Sequence, residues 1–129
     1  MYAWAGEIRT VNLAKGNSFF ARPEHILPEV QKLLARLEKE HFLRGIDARG
    51  FSERAAHYMA EINALHPFRE GNGRTQREFL RELAVEGRYE LSWSLVTREE
   101  MQAASIESFQ KGSSAGFAAL LKKIIRPLP

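Results

Sequence analysis

His66-Pro67-Phe68-Arg69-Glu70-Gly71-Asn72-Gly73-Arg74-Thr75-Gln76-Arg77 is the stretch on which the reading of this chain turns. Upstream of it, Ala55, Met59, Ile62 and His66 recur at three- and four-residue steps, which predicts a helix from about Ser52 to His66. Pro67 cannot continue that helix cleanly. Downstream, Phe79, Leu80, Leu83 and Ala84 fall on one helical face and predict a second helix over Arg74–Glu86. The two helices are therefore joined by a glycine-bounded loop that runs through Gly73.

That loop has a chemistry of its own. Its two glycines let backbone N–H groups turn toward a ligand and form an anion nest. The helix beginning near Arg74 adds the positive end of its dipole. Arg74 and Arg77 are one turn apart and share a face, and two guanidiniums beside a nest suit a polyphosphate. Glu70 lies in the same loop, and Mg²⁺ is commonly held jointly by a carboxylate and phosphate oxygens. His66 closes the preceding helix with the one side chain that takes up a proton near neutral pH. Each feature alone has a plainer explanation: His-Pro-Phe as a turn, Gly-Asn-Gly as a connection, the arginines as surface charge. The combination within so short a run is what points to a site.

Outward from the loop, helical periodicity continues in both directions. Val30, Leu33, Leu34, Leu37 and then His41 predict a helix from Pro28, a residue suited to a first helical position, with Gly45 as the stop. Thr97 with Glu100 forms a capping-box pattern, so another helix should begin there and end at Gly112. Ser114 is placed to cap a last helix through Ile125, stopped by Pro127. Near the N-terminus, Glu7–Leu13 alternates in part, and Gly16-Asn17 between apolar runs signals a β-hairpin, with a loop longer than the tight two-residue type. The expected fold is all-α, or mainly helical, with one N-terminal β-hairpin. Met1–Ala5 reads as the end of a helix whose beginning is missing.

Composition narrows the class. The chain has 129 residues, enough for one domain with a single core, and 44% apolar and 27% charged residues are ordinary for a globular protein. It has no cysteine, which excludes disulfides and thiolate metal sites and fits a reducing cytosol. No apolar run approaches the ~18 residues a membrane span needs. Net charge is +3, from 19 basic and 16 acidic residues interspersed without a basic stripe, so direct nucleic-acid binding is not expected.

The segment 66–77 resembles the motif of the Fic family, His-x-Phe-x-(Asp/Glu)-Gly-Asn-Gly-Arg-x-x-Arg, at each of its eight fixed positions. Trp4–Arg9 resembles the family's lead into a flap, Thr10–Pro23 the flap hairpin, and Asn63-Ala64-Leu65 the end of the helix before the motif. The resemblance covers essentially the whole chain, 1–129, as one Fic domain with a truncated start. In look it is closest to the bacterial toxin branch paired with a small antitoxin.

The resemblance implies a protein adenylyltransferase that moves AMP from ATP to a target hydroxyl. His66 would be the general base, Phe68 a packing residue, and Glu70 the ligand of Mg²⁺ bridging the α- and β-phosphates. Gly71, Asn72 and Gly73 would form the anion hole. Arg74 would hold the phosphates and Arg77 the γ-phosphate. Glycine at 73, where one variant of the family has lysine and transfers the γ-phosphate, favours AMP transfer. The flap, Lys15, Gly16, Asn17, Ser18, Phe19 and Phe20, would dock the target as an added strand. Ser108 and Gln110 are candidates for the adenine pocket, although Gln110-Lys111-Gly112-Ser113 departs from the family's pattern there. The branch implies a type II topoisomerase subunit as target and an inhibitory antitoxin supplied in trans. The family's inhibitory pattern, Ser/Thr-x-x-x-Glu-Gly/Asn, is not found: the Glu-Gly pairs, Glu70-Gly71 and Glu86-Gly87, follow His66 and Glu82 at the spacing where Ser or Thr would stand. Another nucleotide-linked donor, AMP removal, and a catalytically idle nucleotide-binding module remain as alternatives.

Overall fold

The fold follows from how one helix, Ala48–Leu65, finds cover on every side. The structure is a computed structural model that describes residues 14–15, 18–19, 23–65 and 72–129. In chain order the elements are β1 (Ala14–Lys15), β2 (Ser18–Phe19), α1 (Pro23–Lys39), α2 (Ala48–Leu65), α3 (Asn72–Glu86), β3 (Tyr89–Leu91), α4 (Arg98–Lys111), α5 (Ala115–Ile124) and β4 (Ile125–Pro127). The mainly helical architecture expected from periodicity is the one observed.

Helix α2 is central because apolar residues line more than one of its faces: Phe51, Ala55, Ala56, Tyr58, Met59 and Ile62 are all buried. It packs against α1, α3, α4 and α5. Its first turn is capped by Asp47, whose Oδ1 accepts the Gly50 N–H at 2.7 Å, and so it starts four residues before the expected Ser52. Ser52 is buried inside the helix and donates its hydroxyl to the Ala48 carbonyl at 2.8 Å. Phe79, Leu80, Leu83 and Ala84 of α3 are buried, as their spacing predicts. Each large aliphatic or aromatic side chain of this kind contributes about 1.5–3 kcal/mol on leaving water.

Several boundaries differ from the sequence reading. Helix α1 begins at Pro23, so Pro28 lies inside it and not at its first position. Pro28 removes one intrahelical N–H, but the earlier start adds fully buried Ile26 to the stripe Val30, Leu33, Leu37. His41 leaves that stripe and is exposed, because the helix ends at Lys39 and His41, Phe42 and Leu43 turn through left-handed φ of 55°, 54° and 60°. Buried Leu43 anchors that turn. Thr97 caps α4 with a complete box, Thr97 Oγ1 accepting from Glu100 N and Glu100 Oε1 from Thr97 N, both at 3.0 Å. Gly112 ends the helix at φ 66°. Ser114 makes no cap bond; Ser113 Oγ instead accepts the Ala115 N–H at 3.2 Å.

Two corrections concern strands. The hairpin pairs Ala14 with Phe19 and Lys15 with Ser18, so only two residues separate the strands and the longer loop expected there is not needed. A second antiparallel pair was not expected: β3 joins β4 in the register Tyr89↔Pro127, Glu90↔Arg126, Leu91↔Ile125. Ile125 therefore leaves the helix, and Pro127 ends a strand, a place where its missing donor costs little. Among the described residues, no helix is long and apolar enough to cross a membrane.

Ion pairs tie α1 to α2. Arg36 donates to both Glu61 oxygens at 2.8 and 2.5 Å, and Arg54 to both Glu40 oxygens at 2.8 Å. The Tyr58 hydroxyl also donates to Glu40. Burial first, and then the Glu40 carboxylate, push the Tyr58 phenol up to about 12. It therefore stays a donor at any ordinary pH.

Candidate functional site

The site lies where α2 ends and α3 begins. Leu65 is the last residue of α2 and Asn72 the first of α3. His66, Glu70 and Gly71, expected as base, metal ligand and part of the anion hole, fall outside the described residues, as does Phe68. The remaining phosphate-side residues are all on the first two turns of α3: Asn72 opens the helix, and Gly73, Arg74 and Arg77 follow and are exposed.

The geometry of Arg77 is informative. A Cβ built on Gly73 would stand 3.8 Å from Arg77 Nη1. The guanidinium thus folds back along the helix and lies over its N-terminal turn. There the unpaired N–H groups and the dipole already favour an anion. Glycine at 73 leaves room above that turn.

Carboxylate pairing separates the two arginines from six others among the described residues. Arg36, Arg44, Arg49, Arg54, Arg81 and Arg126 each contact a glutamate. Arg81, one turn beyond Arg77 on the same helix, is closed on Glu78 at 2.6 Å. Arg74 and Arg77 have no carboxylate partner among the described residues. Two guanidiniums at a helix N-terminus, without a described carboxylate partner, suit a multiply charged anion.

Behind this turn the core becomes polar. Asn63 on α2 and Gln76 on α3 are buried, at 7% and 5% exposure. Gln76 Nε2 donates to Asn63 Oδ1 at 3.4 Å, and Asn63 Nδ2 donates to the Ser105 carbonyl of α4 at 3.0 Å. The sequence reading placed Asn63 only at the helix end and gave Gln76 no role. A polar residue in each of two otherwise apolar stripes was the available signal.

The adenine candidates separate. Ser108 is buried and Gln110 exposed, since residues two apart on a helix face different ways. In the flap, Lys15, Ser18 and Phe19 lie in the paired strands; Gly16, Asn17 and Phe20 fall outside the described residues. Among the described residues no group of three His, Asp or Glu could hold a metal ion. A cation here would need a carboxylate from the 66–71 segment together with oxygens of the ligand.

Helices packed around α2, with two exposed arginines at the start of α3, describe the fold and candidate site, and comparison with known proteins gives the family. The sequence model of the Fic/DOC family matches residues 1–84, and the chain belongs to that family. Over 123 residues it is 49% identical to protein adenylyltransferase VbhT of Bartonella schoenbuchensis, spanning 95% of this chain and 26% of that protein. Among solved structures, the N-terminal Fic domain of a VirB-translocated Bep effector from Bartonella quintana, with bound ADP, is similar at TM-score 0.88 and 32% identity. That likeness covers 98% of this chain and 66% of the solved one. BepC of Bartonella tribocorum, with bound AMPPNP, is similar at TM-score 0.86 and 27% identity, over 99% of this chain and 68% of that chain. The chain thus spans about a quarter of the length of VbhT.

Proposed function

We propose that this chain transfers AMP from ATP to a hydroxyl of another protein. The observation that carries the reading is the pair Arg74 and Arg77 at the start of α3, without a carboxylate partner among the described residues, in a run, 66–77, that matches the family motif in full. Relatives named protein adenylyltransferases, and Fic domains with bound ADP and AMPPNP, support it. In this reading Arg74 and Arg77 neutralise the phosphates, with Gly71, Asn72 and Gly73 presenting N–H groups to them. His66 takes the proton of the incoming hydroxyl as it attacks the α-phosphorus, and pyrophosphate leaves. Glu70 would hold Mg²⁺, which would supply positive charge near the phosphates, since a carboxylate beside them would otherwise repel the nucleotide. Such transfer depends on positioning and charge neutralisation more than on covalent help.

The finer reading extends to partners. The β1–β2 hairpin offers an edge to which a target segment can add as a strand. A type II topoisomerase subunit is the proposed target, and a small antitoxin supplied in trans the proposed restraint, its carboxylate competing for Arg77. The test is incubation with ATP labelled at the α- or the γ-phosphate in bacterial lysate. Label on protein from the α-position alone is expected. ATP binding with no protein labelled would overturn the reading.

A further inference from the structure

Positions 63 and 76 interrupt two apolar stripes. Their helical neighbours Met59 and Ile62 on α2, and Phe79 and Leu80 on α3, are buried hydrophobics. At the end nearest the site, however, the α2–α3 contact is made by two amides, and one of them is bonded on to α4. Packing alone would be served as well by leucine at both places. An apolar contact tolerates sliding of one helix along the other, whereas an amide bonded in two directions in a dry interior has one satisfactory register.

That register matters because of where the pair sits. Asn63 lies two residues before the end of α2, and Gln76 lies between Arg74 and Arg77 in the chain. The tie thus spans the base of the segment connecting the two helices. The bond from Asn63 to the Ser105 carbonyl joins the same pair to α4.

We propose that Asn63 and Gln76 are positioning residues for the transfer reaction, holding the end of α2 at a set distance from Arg74 and Arg77. The inference rests on the adenylyl-transfer reading. Displacement of reacting groups by about 1 Å can cost about 10²-fold in rate even from outside the reacting centre. Ground-state nucleotide binding, made by the exposed arginines, should be much less affected.

The experiment compares the wild-type chain with Asn63→Leu/Gln76→Leu and with the exchanged pair Asn63→Gln/Gln76→Asn. Replacing both partners by apolar groups avoids stranding a lone polar group, so the double leucine variant should fold with a Tm close to wild type. Expected is a kcat lower by about 10²-fold, with ATP affinity changed less than about threefold, and substantial recovery of kcat in the exchanged pair. Wild-type kcat in the folded double leucine variant would overturn the proposal. If that variant fails to fold, Gln76→Met, which keeps the side-chain length, is read by the same split. Backbone hydrogen exchange at residues 71–75 supplies a readout independent of catalysis. If the wild-type chain transfers no AMP, the function reading falls by itself. Faster exchange at 71–75 in a variant of unchanged Tm would still support the tie, and unchanged exchange would overturn it.

Discussion

Two clusters of arginine in this molecule are built from the same side chain and behave oppositely. Between α1 and α2, Arg36 and Arg54 are each held bidentately by a glutamate, and Tyr58 completes the second pair from the core side. At the start of α3, Arg74 and Arg77 face solvent with no carboxylate partner among the described residues, and Arg77 folds over its own helix N-terminus. The first cluster is satisfied within the fold and serves to join helices. The second has its charge unpaired among the described residues, as the proposed binding of an anion requires. Placing two cations beside the positive end of a helix dipole is unfavourable in the empty protein, and an anionic ligand reverses that sign.

Two changes in the motif carry the largest expected effects, and one of them breaks the second cluster. Arg74→Ala should lower AMP transfer by about 10²–10³-fold, the usual loss when one pre-positioned charge stabiliser is removed. Its stability should change by less than about 0.5 kcal/mol, because no carboxylate partner among the described residues is lost. Labelled-ATP transfer and a thermal melt on the same sample check both halves. A variant that melts early while retaining transfer would place Arg74 in the first class.

His66→Ala is next, with a loss of about 10²–10⁴-fold in transfer and retained ATP binding, since the imidazole would serve the hydroxyl and not the phosphates. Normal modification by this variant would remove His66 from the role of base.

Glu40→Ala attacks the first cluster. It leaves the Tyr58 hydroxyl, in a residue only 1% exposed, without its acceptor, and frees Arg54. The expected cost is about 1–3 kcal/mol in denaturant unfolding, with ATP affinity unchanged. Loss of ATP binding in the folded variant would mean the clusters are coupled, contrary to the comparison.

Acid should separate the clusters more gently. Arg54 first, and Tyr58 with it, hold the Glu40 carboxyl below its ordinary value of 4.5. A lowered folded value means that the pair's contribution is fully present above about pH 4.5 and is lost as pH falls through the folded value. Below pH 4.5, wild type should therefore lose stability more steeply than Glu40→Gln. Equal slopes would mean Glu40 gains nothing from its partners. The smallest effect belongs to Arg49→Ala, whose pair with Glu53 is largely exposed, and a change within about 0.5 kcal/mol is expected.

What could be read in advance was whatever a few neighbouring residues decide. The Thr97–Glu100 capping box, the left-handed stop at Gly112 and the inward stripe of α3 were legible because each depends on residues within a turn or two. The motif at 66–77 was legible for the same reason, as was membership of the family. The start of α1 was misread because Pro23 and Pro28 are both acceptable near a helix start, and only the burial of Ile26 distinguishes them. Ser113 and Ser114 offered the same ambiguity for α5.

The tertiary structure decided the rest. The β3–β4 pair joins two three-residue strands far apart in the chain, each too short to show alternation. Nothing in either stretch alone announces a partner, since strand pairing is a property of two segments. Asn63 and Gln76 look like ordinary polar residues until both are found buried and bonded to each other. The sequence by itself determined the family, because its motif is carried in one short run, residues 66–77. Which of the described arginines are paired with a glutamate was decided only when the helices packed, because charge compensation joins segments distant in the chain.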